Sequence, residues 1–385
     1  MAGGFGGSGS IVTDSLNRVL ISRSALAHNF SVCRQVAGNR PVLAMVKADA
    51  YGHGMVECAR VFSSCGAAAF GVAEVVEGIS LRTAGCREEI FVLAGALPVF
   101  ADAIVEYALT PVLVDPDLFD PLDRAARKKG RRLDVHLKVD AGMGRQGILP
   151  GDLARVMELL GQKDFLRLAG IMAHFPMADT PEHHSTDQVL STYLEAVQSI
   201  QADQDGLCLH IANSGGNFSF PQARLDMVRP GISLYGYGAA PAGPDASPAQ
   251  QSLRPAMSFV SQVIQVRDVP AGTGLGYGHS FVTRRGTRLA VLPVGYEDGY
   301  LRSLSNRAQV LIKGSRAPVV GRISMNLTLV DITDIPGVKS GDEAVLLGRQ
   351  GRESITADEI ASWMDTISYE VLCLFGHCNR KEYVS

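Results

Sequence analysis

Through its first two-thirds the chain repeats one pattern, a short apolar, β-branched run followed by a longer stretch with apolar residues at helical spacing. The runs that read as strands lie at 42–46, 69–73, 90–94, 111–114, 133–139, 168–174, 207–212 and 228–235. Amphipathic stretches such as 117–129, 152–161 and 185–202 read as helices between them. Ser24 stands where the N-cap of another helix is expected, just ahead of Ala25, Leu26 and Ala27. Alternating strands and helices predict a parallel sheet clad in helices, and a count of eight favours closure into a (β/α)8 TIM-type barrel. An open doubly wound sheet is the runner-up, without a strand–GxGxxG–helix fingerprint to support it.

After residue 245 the pattern shortens. Alternating segments at 257–266, 289–293, 308–312, 318–321, 327–332 and 343–347 read as strands, divided by turns at 270–272, 313–314 and 336–337. A helix is expected at 356–365. The fold class is therefore α/β, a barrel followed by a mostly β C-terminal domain. The expected division is a flexible Gly/Ser-rich tail at 1–12, a barrel at 13–245 and a β-rich domain at 246–385, with the Pro/Gly/Ala/Ser-rich stretch 239–250 as linker.

Composition narrows the partners. The 385 residues are 46% hydrophobic and 19% charged with a formal net charge of −3, ordinary for a soluble globular protein. No segment is basic enough to track a nucleic-acid backbone. No apolar run approaches the roughly 20 residues that span a bilayer. The N-terminus lacks the basic and apolar regions of a secretory signal, so a cytoplasmic location is expected. Seven cysteines, odd in number and mostly inside apolar stretches, read as reduced thiols. Cys373 and Cys378 with His377 between them fit no usual zinc spacing, and no metal is expected. The adjacent His183 and His184 read as surface residues.

Barrel chemistry gathers at the C-terminal ends of the strands. The first run ends in Lys47 and Tyr51; the fifth places Lys138 within the strand and Arg145 on a glycine-rich turn. The sixth ends in His174, the seventh in Asn213, Ser214, Gly215 and Gly216, and the eighth carries Arg229, Gly231, Ile232 and Tyr235. Desolvating an ammonium costs several kcal/mol, so Lys47 at the end of an apolar strand is either paired or functional. Burial also lowers an amine's pKa, as a Schiff base to an aldehyde requires. Backbone N–H groups of Ser214, Gly231 and Ile232, with the Ser214 and Tyr51 hydroxyls, could cradle a dianionic phosphate. An amine beside a phosphate cradle points to pyridoxal 5′-phosphate.

The stretches VKADAYGHG (46–54), LKVDAGMGRQG (137–147), ANSGG (212–216), MVRPGISLYG (227–236), GYGHSF (276–281), VGYEDGY (294–300), GRISMNLTLVDIT (321–333) and YE (369–370) resemble the alanine racemase family, in family order across both domains. The resemblance implies a pyridoxal-phosphate-dependent homodimer with an active site shared between subunits, an amino-acid substrate, and D-alanine for peptidoglycan as product. It implies that Lys47 carries the cofactor and serves as one base, and that Tyr277 of the partner subunit serves as the other. Arg229 then faces the pyridine nitrogen. His174 orients it, and both are the cationic neighbours that ready Tyr277 as a base. Arg145 meets the cofactor phenolic oxygen and the substrate carboxylate, with Met325 offering the carboxylate a backbone N–H. Lys138 matches a lysine that is carbamylated in some members, and Tyr369 matches a tyrosine near the phosphate and the substrate methyl pocket.

Two residues depart from the family pattern: Asn326 where many members have aspartate, and Glu297 where alanine is frequent. Neither removes a proposed catalytic group. A serine or broader-specificity racemase is the nearest alternative function. A decarboxylase of the same architecture would need a catalytic cysteine in the β domain, where this chain has Tyr277. A non-catalytic cofactor carrier would need no second domain.

Overall fold

The computed structural model describes residues 15–38, 40–179, 185–200, 206–238 and 247–385. The expected tail at 1–12, the pair His183–His184 and the boundary at residue 245 lie outside the described residues. The chain forms two compact units. One comprises 21–257 with 356–377 and 383–385; the other comprises the stretch up to Leu20, 258–355 and 378–382.

In order, strand β1 (Arg18–Ser22) leads into α1 (Arg23–Val36). The cap of α1 is Ser22, not Ser24. Ser22 is extended (φ −82°, ψ 112°) and its hydroxyl accepts the Ala25 N–H, the geometry an N-cap requires.

The barrel unit is built on seven parallel strands in sequential order: β2 (Leu43–Met45), β3 (Ala69–Val72), β4 (Glu89–Val92), β5 (Thr110–Leu113), β6 (Leu133–Lys138), β7 (Leu166–Met172) and β8 (Cys208–His210). The turn α2 (Lys47–Tyr51) and helices α3 (Met55–Ser64), α4 (Val75–Thr83), α5 (Ala101–Glu106), α6 (Phe119–Lys129), α7 (Leu153–Gly161), α8 (Ser185–Ser199) and α9 (Ser214–Ser219) punctuate them. On α6, Phe119, Leu122, Ala125 and Ala126 are buried while Arg127, Lys128 and Lys129 occupy the last turn, where cations favour the helix dipole.

The expected eighth strand at 228–235 is not a strand. Pro230 has no N–H to give a ladder, and Ile232–Tyr235 winds into a 3-10 turn. The extended stretch before it still fills the eighth place. Val228 O accepts the Leu43 N–H and Pro230 O the Met45 N–H, while the Arg229 N–H donates to Ala212 O. These bonds join β8 to β2 and close the ring.

A short helix α10 (Pro248–Gln251), capped by Ser247, occupies part of the expected linker. Helices α11 (Ala357–Met364) and α12 (Ser368–Cys378) cluster with the barrel for all but the last residue of α12. The first follows the sequence expectation, with Thr356 capping the Glu359 N–H; the second was not foreseen.

In the other unit, β9 (Met257–Gln262) and β10 (Gln265–Val269) divide the single strand expected at 257–266. The chain changes sheets there, with the Val263 N–H donating to Asp342 O and the Ile264 N–H to Val291 O. The remaining strands are β11 (Gly274–Leu275), β12 (Phe281–Val282), β13 (Thr287–Leu292), β14 (Gln309–Ile312), β15 (Ser315–Pro318), β16 (Thr328–Asp331), β17 (Glu343–Gln350), β18 (Glu353–Ile355) and β19 (Lys381–Val384). They form a sheet ordered β15-β14-β17-β9-β1-β19 with β18 on β17, a three-stranded sheet β10-β13-β16, and the ribbon β11-β12. Val269, Leu275, Leu289 and Val320 make a core under the smaller sheet. Among the described residues no helix is long and apolar enough to cross a membrane.

Candidate active site

Lys47 follows the end of β2 and opens a turn that is wound left-handed. Ala48, Asp49, Ala50 and Tyr51 have φ of 53°, 52°, 57° and 53°, and none is glycine. Left-handed winding costs L-residues roughly 1–2 kcal/mol each, on the order of 4–8 kcal/mol for the run. Backbone bonds hold it, Ala50 N–H to Val46 O (2.8 Å) and Gly54 N–H to Asp49 O (2.8 Å) among them. Side chains add to them: Glu77 Oε1 accepts the Ala48 N–H and Asp49 Oδ1 the Met55 N–H, both at 2.7 Å. Helix α12 presses on the turn from outside. A Cβ on Gly376 would stand 1.9 Å from Gly52 O, and one on Gly52 2.4 Å from Leu372 O. Such over-determination is what keeps strained backbone in place.

The amine faces a cavity of about 740 Å³. Of the residues expected from sequence, Lys47, Tyr51, Lys138, Arg145, His174 and Arg229 line it, as do Asn213, Ser214, Gly231, Ile232 and Tyr369. Tyr277 and Met325 belong to the other compact unit and are 68% and 53% exposed.

One wall is made of small polar groups. The Asn213 side chain caps α9 by accepting the Gly216 N–H (3.0 Å), and Ser214 Oγ accepts the Gly231 N–H (2.9 Å). The Tyr51 hydroxyl comes so close to Gly231 that a Cβ there would lie 2.3 Å from it, so any side chain at position 231 would have to displace the Tyr51 ring. Tyr51 is buried between Tyr235 and Tyr369, with ring centroids 5.0 and 5.9 Å away. Burial pushes the Tyr51 phenol upward and that of Tyr369 up to about 12.

Other residues of the lining are cationic. Burial and then Arg145 pull the Lys47 amine below its ordinary value, while Glu77 and Cys373 draw it back up. Lys138 is 4% exposed, and burial, Arg145 and Arg229 lower it to about 8. Asp140 does not neutralise this group freely. Its carboxylate accepts the N–H groups of Gly142, Gly144 and Arg145, and so shapes the loop that presents Arg145.

Arg229 is fixed by groups that sequence reading missed. Its guanidinium donates to Ala173 O (2.7 Å), Ile211 O (3.1 Å) and His210 Nδ1 (3.0 Å), and His210 Nε2 lies 2.9 Å from His136 Nδ1. A guanidinium only donates, so His210 accepts at Nδ1 and carries its proton on Nε2. That proton is donated to His136, whose own proton then sits on its Nε2. Burial holds both rings neutral, His136 at about 4 and His210 well below the usual value. His174 contacts Arg229 only at 3.5 Å, so His210 is the principal orienting histidine. Nor is His174 a cationic neighbour as expected. Burial, Arg229 and Arg145 depress it far below neutrality. The signal available in sequence was His210 on an otherwise apolar strand run and His136 between Val135 and Leu137 on the strand that carries Lys138.

In the β unit, the Met325 carbonyl accepts the Glu297 N–H (3.2 Å), and the Asn326 amide donates to the Glu297 carboxylate. The two departures from the family pattern are thus hydrogen-bonded to each other.

Models of the alanine racemase N-terminal and C-terminal domains match residues 21–239 and 256–383. The chain belongs to the alanine racemase family. It is 42% identical to an alanine racemase of Syntrophobacter fumaroxidans, over 95% of this chain and 96% of that one. With an alanine racemase of Thermodesulfovibrio yellowstonii it shares 40%, over 94% and 96%. Among solved structures, an alanine racemase from a D-cycloserine-producing Streptomyces lavendulae superposes with a TM-score of 0.90 at 33% identity, covering 97% of this chain and 98% of that one. The Bartonella henselae alanine racemase, solved with covalently bound pyridoxal phosphate, gives 0.87 at 27% identity, covering 96% and 100%. Family membership thus extends over both compact units, including the β unit that carries Tyr277.

Proposed function

We propose that this protein interconverts L- and D-alanine with pyridoxal 5′-phosphate held in the barrel cavity. The observation that carries the reading is Lys47, a half-buried amine lowered by its surroundings, set on a strained turn and facing a cavity rich in cations. The residues present fit the cofactor. Lys47 supplies the amine for the aldehyde, and Ser214, Gly231, Ile232, Asn213 and Tyr51 surround the place for a phosphate. Arg229, which can only donate, suits an unprotonated ring nitrogen. When bound, the cofactor withdraws electrons from the substrate α-carbon and makes its proton removable.

Lys47 handles that proton on one face. Tyr277 handles it on the other, and a second copy of the chain supplies it, because inversion needs an acid/base on each side. Arg145 and the Met325 N–H orient the substrate carboxylate, and the Tyr369 ring favours a methyl over a larger side chain. Lys138, lowered to about 8, is neutral often enough to take up carbon dioxide. An N–C bond forms, a proton leaves, and the carbamate offers Arg145 a negative partner. The enzyme serves in the cytoplasm and supplies D-alanine for peptidoglycan.

The test is a chiral assay of the purified protein on L-alanine and L-serine, paired with its visible spectrum. D-alanine formation and a cofactor band, both lost in Lys47→Ala, are expected, with Tyr277→Phe keeping the band and losing most turnover. A cofactor band without racemisation would overturn the reading in favour of a decarboxylase or carrier.

A further inference from the structure

Glu77 does not line the cavity. It stands on α4, one βα unit along from Lys47, yet its carboxylate reaches the residue next to the lysine. Oε1 accepts the Ala48 N–H at 2.7 Å, and Oε2 accepts the Ala73 and Glu74 N–H groups at 2.7 and 3.2 Å. The bond from the Glu74 N–H is one half of the capping box of α4, whose other half is the Glu74 side chain accepting the Glu77 N–H, so the bond to Ala48 ties the Lys47 turn to the start of a regular helix. A run of left-handed, non-glycine residues unwinds unless it is held. The amide of its first residue is held by this carboxylate.

We propose that Glu77 is a positioning residue, whose carboxylate clamps the left-handed turn to α4 and so sets where the Lys47 amine stands. The proposal rests on the reading of Lys47 as the reacting amine. A glutamine cannot replace the clamp, because its amide accepts through one atom where the carboxylate accepts through two.

The same carboxylate acts on Lys47 through charge. The groups facing the amine are Glu77 from α4, Arg145 from the loop after β6, Cys373 from α12, and Lys138 and His174 from the ends of β6 and β7. Arg145 and Lys138 favour loss of the ammonium proton. Glu77 opposes that loss, so removing its charge lets Lys47 deprotonate at lower pH.

The experiment compares Glu77→Gln and Glu77→Ala with the wild type, as purified full-length protein. Amide hydrogen exchange is read over residues 46–54 and over α6, together with kcat, KM for L-alanine and the pH–rate profile. Exchange over 46–54 is expected to rise about tenfold to a hundredfold in both variants, as a lost charge-assisted hydrogen bond implies, with α6 unchanged. kcat is expected to fall with KM nearly constant, and the limb of the profile belonging to Lys47 to move to lower pH. Wild-type exchange over 46–54 in the isosteric Gln variant overturns the proposal. So does a rise spread equally over α6, which marks general loosening. A wild-type protein without racemase activity would sink the proposed function, while the exchange readout would still decide the role of Glu77.

Discussion

Acidification should weaken the barrel through His136, and the size of the effect follows from its surroundings. The ring is 3% exposed, accepts the His210 proton at Nδ1, and is held neutral down to about pH 4. An unfolded histidine titrates near 6.5. Between those values the unfolded chain binds a proton at residue 136 that the folded barrel refuses. Stability therefore rises with pH across that window and is lost as pH falls through it. About 2.5 pH units at 1.36 kcal/mol each make roughly 3 kcal/mol from His136 alone. His210 and His174 are depressed too and add in the same direction. Urea unfolding at pH 7 and pH 4 reads the loss through the single tryptophan, Trp363, on α11 of the same compact unit. His136→Gln keeps an acceptor for His210 but cannot titrate, and should remove about 3 kcal/mol of the pH dependence. If the variant loses as much stability on acidification as the wild type, the neutral chain from Arg229 through His210 to His136 is wrong.

Three further outcomes are expected. Asn326→Asp would set a carboxylate against Glu297 and raise KM for alanine several-fold, and adding Glu297→Gln should restore a donor and the wild-type KM; equal KM values in all three chains would remove the pair from any role beside Met325. Gly231→Ala would drive a methyl into the Tyr51 hydroxyl and cost about 1–3 kcal/mol, with weaker pyridoxal phosphate binding in a fluorescence titration; unchanged melting and affinity would contradict the contact. Ala48→Gly relieves a left-handed alanine and should gain about 0.5–1 kcal/mol in urea unfolding after the added chain entropy is counted; a loss would show that the turn is not strained.

The barrel was legible because its strands are short apolar runs separated by helices, a pattern set by burial on both faces. Its eighth place was misread because the apolar run 228–235 hides Pro230, which cannot donate to a ladder, and a 3-10 turn after it. The strand expected at 257–266 failed for another reason: the hydrophobic pattern runs on while the backbone changes partners at Val263 and Ile264. Cavity residues such as Lys47, Lys138 and Arg229 stood out because cations at the ends of apolar strands are costly without a purpose. Glu77, His136 and His210 escaped notice because they act through hydrogen bonds to groups distant in sequence. Ala48 with Glu77, and His136 with His210, are 29 and 74 residues apart.

Several features that violate local rules meet at one end of the barrel. Left-handed residues without glycine follow β2, a buried lysine ends β6, and a guanidinium at the eighth place rests on a histidine ending β8. Each costs stability, and a barrel chosen for stability would have glycine, leucine and apolar packing at these positions. A single left-handed residue or one buried cation would be a defect that a large core can absorb. Several such costs around one cavity are better explained by a common demand on that cavity. The demand is legible in the charges. Lys47, Lys138, Arg145 and Arg229 face the cavity together against one lining carboxylate, Asp179, while Asp140, a nearby carboxylate, is already engaged by backbone N–H groups. Cations so placed repel one another until anions arrive. A phosphate and a substrate carboxylate are anions of that kind, so the binding reaction recovers part of what the fold gives up to hold the site open.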